Sequence, residues 1–206
     1  MTKPSAVRPA VWRALFLVTC LGTLVSARAQ TPAVGPPSNG KDGVNPQAAS
    51  LQEFQTRLEQ YLELRNSLSS KLQPLSPTAS AAELAKRQEA LATAMRRARG
   101  QGKRGDLIPP HVAQLIATIV RDDFQRRNPT AKMGVFAEVP AAKGASLINK
   151  SYPADQALPT VPPLLLMNLP KLPDNLQYRF VARDVVILDG DLQVVVDYIP
   201  TVLPAQ

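Results

Sequence analysis

Four aspartates punctuate the apolar run LQYRFVARDVVILDGDLQVVVDYIP (residues 176–200): Asp184, Asp189, Asp191 and Asp197. Carboxylates gathered in this way could hold a cation or work as an acid–base pair. Two of them facing each other at about 5–9 Å would suit hydrolysis of the glycosidase kind. A calcium loop needs more oxygen ligands than DGD supplies. Zinc favours His and Cys, and the chain has one of each, His111 and Cys20. His111 falls at a helix start, where a lone histidine acts as a surface or capping group. There is no GxGxxG, no Walker loop and no GxSxG. The residue types therefore predict no catalytic residue, no metal site and no cofactor. They favour turns and edges for the carboxylates. Asp189-Gly190 predicts a tight hairpin turn, with glycine supplying a positive φ. Arg183-Asp184 predicts a second turn, and strand alternation puts Asp197 on the face opposite Val196 and Tyr198.

The elements that must carry these residues are short strands at Leu176–Ala182, Val185–Leu188 and Leu192–Ile199, ended by Pro200. Leu176, Tyr178, Phe180 and Ala182 share one face, with Gln177 and Arg179 on the other. Leu192, Val194, Val196 and Tyr198 share a face of the last strand. Together they predict a three-stranded antiparallel meander over 176–199. Its apolar side needs a cover.

Upstream, residues 47–73 predict a helix with Leu51, Phe54, Leu58, Tyr61, Leu68 and Leu72 at 3-4 spacing. The stripe is narrow, like a coiled-coil face, and Arg65 interrupts it once. PLSPTAS breaks it. Ser80 or Thr78 then caps a second helix to about residue 99, with Leu84, Leu91 and Met95 on one face and Gly100 as the stop. The pair reads as an antiparallel hairpin, residues 48–100, which could also join two chains into a homo-oligomer. Pro109-Pro110 opens a third helix through Val112, Leu115, Ile116, Ile119 and Val120, and Asn128-Pro129 ends it. MGVFAEVP (133–140) predicts a strand, with a further strand at Ser146–Asn149. Pro162-Pro163 starts a short helix through Leu164–Met167, and the prolines between Tyr152 and Pro173 lead the chain across the sheet. The fold class is α+β: helical hairpin, third helix and C-terminal β-meander, with 105–206 as an α+β module.

The N-terminus reads as an export signal, residues 1–29. Lys3, Arg8 and Arg13 precede an apolar run at 14–25, and Ala27-Arg28-Ala29 offers small residues for cleavage after Ala29. The run is short for a bilayer core of about 30 Å. Cys20 tests a lipoprotein signal, but Thr19 suits that cut poorly. Residues 30–47, rich in Pro and Gly, predict a flexible linker. Four of the 24 basic residues and none of the 16 acids lie in the signal, which leaves a mature charge of +4. That is mild and gives no argument for nucleic acid. The wealth of Ala, Arg and Pro suggests a bacterial source, so export means a periplasmic or secreted protein.

The run 169–204, LPKLPDNLQYRFVARDVVILDGDLQVVVDYIPTVLP, resembles the C-terminal signature of a family of uncharacterised exported bacterial proteins. The match rests on Leu169, Pro170, Leu172, Pro173, Leu176, Tyr178, Arg179, Phe180, Asp184, Asp189, Asp197 and Pro200. The resemblance implies a compartment and an order of modules, with no activity attached. Within it, Tyr178, Arg179, Asp184 and Asp197 are candidates for a recognition surface on the sheet. Arg96, Arg97, Arg99, Lys103 and Arg104 are candidates for a patch facing an acidic partner or anionic headgroups, although a basic helix C-terminus also complements the macrodipole. The sequence therefore predicts a non-enzymatic exported protein that contacts a protein or cell-envelope partner, with membrane contact limited to the signal or the basic patch. The alternative is a small periplasmic cation-binding protein or hydrolase using the aspartates of the sheet.

Overall fold

The computed structural model describes residues 45–139, 147–152 and 159–205. The expected signal, its expected cleavage point, the expected linker up to residue 44, and residue 146 of the strand expected at Ser146–Asn149 lie outside them. Helix α1 spans Pro46–Ser70, α2 Ala81–Arg99, α3 Pro110–Arg126, α4 Pro129–Glu138 and α5 Pro163–Leu166. The strands are β1 Leu176–Val181, β2 Asp184–Asp189 and β3 Val194–Ile199, in the order β1-β2-β3 and antiparallel throughout. The chain is thus α+β with a C-terminal meander. Among the described residues no helix is long and apolar enough to cross a membrane.

Local chemistry explains the helix ends. Asn45 accepts from Gln47 N at the start of α1. Ser80 and Glu83 close a reciprocal capping box on α2. Pro110 occupies the first turn of α3, where a missing N–H costs nothing. The second helix returns along the first: Arg87 donates to Ser69 O, while Arg99 lies over the ring of Tyr61 at 5.7 Å. Only the far half of α2 is buried, at Leu91, Ala92 and Met95; Leu84, expected on the same face, is 48% exposed.

Hairpin, third helix and sheet share one apolar core. Phe54 and Leu58 from α1, Met95 from α2, Ile116 and Phe124 from α3 and Phe180 from β1 all belong to it. Phe124 meets Phe180 edge-on, with centroids 6.1 Å apart at 87°. The described residues accordingly fall in one compact unit, in which the hairpin 48–100 and the C-terminal part are packed together. Val161, Leu165 and Leu169 of the Pro-rich segment are buried in the same cluster, so its described part, 159–173, packs on the core shared with the sheet, while Pro153 lies outside the described residues. The opposite sheet face holds a smaller cluster of Tyr152, Val181, Val186, Leu188 and Val195.

Four expectations are corrected. The run 133–140 is helical through Glu138, not a strand, because Asn128-Pro129 starts a helix rather than only ending one: Asn128 accepts from Ala131 N and Pro129 fills the first turn. Ile148 makes only an isolated bridge to Val195, in place of a strand. The β1–β2 turn is Ala182-Arg183, so Asp184 opens β2 and pairs with Val181. The β2–β3 connection runs over Gly190–Gln193, and the positive φ falls on Gln193 at 51° rather than on Gly190.

Ala182 also takes a positive φ, 52°. A Cβ is disfavoured there and glycine is not. We expect Ala182→Gly to stabilise the fold by a few tenths to about 1 kcal/mol in urea unfolding. A loss of stability would mean that the turn carries no such strain.

Candidate functional site

The aspartates are resolved into separate jobs. β3 carries a bulge: Leu188 faces Val195 but Ile187 faces Asp197, so Val196 is the extra residue. The bulge breaks the strand alternation. Asp197 turns to the core side with Val196, and Tyr198 moves to the opposite face. There the Asp197 carboxylate, fully buried, accepts from Gly105 N at 3.0 Å, Leu107 N at 2.9 Å, Ile108 N at 2.9 Å and Tyr198 N at 2.8 Å. It organises the loop between α2 and α3. Burial pushes its pKa up, against the pull of those N–H groups.

Asp189 is buried too. Its carboxylate accepts from Tyr61 Oη at 2.8 Å, Arg65 Nε at 3.1 Å and Leu192 N at 3.1 Å. Arg65 Nη2 also donates to Asp191 at 2.6 Å, and Asn175 Nδ2 joins it at 2.9 Å. The arginine that interrupted the apolar stripe of α1 is thus the residue that locks α1 to the β2–β3 turn. Tyr61 and Arg65, one helical turn apart, were the missed signal. Asp184, half-buried, accepts from Thr201 N at 2.9 Å. Among the described residues no three His, Cys, Asp or Glu side chains gather as a metal cluster.

The candidate recognition residues do not share one surface. Tyr178 is 2% exposed and its hydroxyl donates to Pro170 O at 3.0 Å. Asp197 is internal and Asp184 lies at the far turn. Arg179 stands apart. It is half-buried, its Nη1 donates to Tyr178 O at 3.2 Å and its Nη2 to Gln177 Oε1, and its Nε is buried without an acceptor. Among the described residues no carboxylate pairs with it, and desolvation lowers its pKa.

The basic cluster is divided as well. Arg99 donates to Val196 O at 2.9 Å, and Arg96 to Glu89, Thr93 and Ser151. Asn149 bonds the carbonyls of Arg96 and Gly100, closing the end of α2. Gly102 is required beside it, since a Cβ there would lie 2.7 Å from Asn149 Cβ. Arg97, Lys103 and Arg104 remain exposed with no side-chain partner among the described residues.

Arg179 lines a groove of about 510 Å³ between the Pro-rich segment and the first half of β1. Thr160, Leu166, Met167, Lys171 and Leu172 form much of its wall. Met167 is 81% exposed and Leu166 49%. This is the candidate site: an apolar trough with a guanidinium that has no counter-charge among the described residues. No known protein family, curated protein or solved structure matches the chain.

Proposed function

We propose that this is an exported, periplasmic or secreted protein that acts without catalysis, by binding a protein or cell-envelope partner through the helical hairpin and the C-terminal sheet. The N-terminal signal pattern and the resemblance of residues 169–204 to exported proteins support the compartment. The groove beside Arg179 carries the binding reading. The buried aspartates that could serve chemistry already spend their oxygens on internal donors, whereas the groove leaves apolar side chains and a cation facing outward. The free end of the hairpin adds a second apolar exposure, at Leu75 and Leu84.

The test is in-cell cross-linking of the tagged full-length chain in its native host, read by mass spectrometry. Deleting 51–99 would remove Phe54, Leu58 and Met95 from the common core, so point variants are the cleaner control. One dominant envelope partner is expected, with capture reduced by Met167→Glu or Leu84→Glu while the melting temperature holds. A mature protein found soluble, monomeric and without any captured partner would end this reading.

A further inference from the structure

The groove has features that narrow its occupant. β1 is an edge strand, and among the described residues only an isolated bridge from Thr160 to Arg179 lies along its outer side. An exposed edge is a template for an added extended segment, with side-chain pockets setting the specificity. The wall offers Leu166, Met167 and Leu172, and methionine adapts to varied apolar shapes. Among the described residues two cations, Lys171 and Arg179, line the groove against one acid, Asp174, which is exposed. Among the described residues Arg179 is held by neutral acceptors alone, Tyr178 O and Gln177 Oε1. A guanidinium in that position is suited to a planar carboxylate.

We propose that this groove receives an extended segment of a partner protein carrying a carboxylate among apolar side chains, with the carboxylate on Arg179 and the apolar residues against Leu166, Met167 and Leu172. The proposal rests on the partner-binding reading above and names the chemistry of that partner. An acidic aliphatic segment fits both the cations and the wall. A purely basic or purely polar one fits neither.

The experiment pans a phage-displayed random peptide library against the full-length chain and measures the best peptide by calorimetry. Enriched sequences should share Asp or Glu flanked by Val, Ile, Leu or Phe. Arg179→Met and Met167→Glu should each weaken the peptide at least tenfold. Arg179→Met should melt at or above the wild type, because the guanidinium has no carboxylate among the described residues to lose. If that variant folds poorly, Met167→Glu, at an exposed position, decides alone. No enrichment, enriched peptides without an acid, or unchanged affinity in Met167→Glu would overturn the proposal. So would binding of octanoate at the groove with no peptide bound, which would indicate a small carboxylate ligand. In cells, capture that survives Arg179→Met and Met167→Glu but is lost in Leu84→Glu removes the groove and leaves the partner-binding reading standing.

Discussion

Replacing Asp197 with alanine is expected to cost about 3–5 kcal/mol, the largest effect of any single change proposed for this protein. The substitution strips the acceptor from the N–H groups of Gly105, Leu107, Ile108 and Tyr198 together. Two of the donors, Leu107 and Ile108, are buried residues, at 4% and 2% exposure, so water does not replace the lost acceptor cheaply. The loop joining α2 to α3 should loosen first, visible as faster amide exchange at residues 105–108. Asp197→Asn keeps one acceptor oxygen and should cost less. The pH dependence has a definite sign. Burial raises the pKa of Asp197 above its ordinary 3.8. The stabilisation tied to its proton is therefore complete below 3.8 and lost as pH rises through the elevated value. The stability gap between wild type and Asp197→Asn should be widest in acid and narrow to a plateau towards neutrality. A gap that grows as pH rises would show that the N–H groups outweigh burial.

Asp189→Ala is expected to cost about 3 kcal/mol, because it leaves Tyr61 Oη, Arg65 Nε and Leu192 N without their acceptor in a buried site. The figure sits at the low end for a broken buried pair, since Arg65 keeps Asp191. Urea unfolding measures it, and a loss below about 1 kcal/mol would mean that α1 is held to the sheet by apolar packing alone. The phenol of Tyr61 gives a second readout. Burial first, then the charge of Asp189 and its hydrogen bond, push the Tyr61 pKa well above the usual 10.0. The stabilisation this provides is complete below pH 10.0 and lost as pH climbs through the raised value. Tyr178 is pushed up as well, by burial. In alkaline titration at 295 nm, Tyr61 and Tyr178 should stay protonated until the fold opens. In Asp189→Asn the Tyr61 ionisation should shift downward, and an unchanged titration would remove Asp189 from the account.

The sequence by itself determined α1, α2, α3, the short α5 and the meander. Proline placement, capping serine and the 3-4 spacing of Phe54, Leu58 and Tyr61 are local signals, and local backbone chemistry answers to them. It also determined that Tyr178 and Phe180 face the core, since alternation in β1 is undisturbed. The tertiary structure decided the rest. A one-residue bulge at Val196 reversed the facing of Asp197 and Tyr198, and nothing in VVVDYI announces where a bulge will fall. Asp189 looked like a turn residue because its donors, Tyr61 and Arg65, lie more than a hundred residues away in the chain. The stretch MGVFAE mixes apolar and small residues at no clear period; its helix starts at the Asn128 cap and Pro129, and Phe136 packs against Phe124 with centroids 5.8 Å apart. Arg179 illustrates the same limit for function. Its residue type was visible as a candidate, but its neutral acceptors and buried Nε are a property of what folds around it.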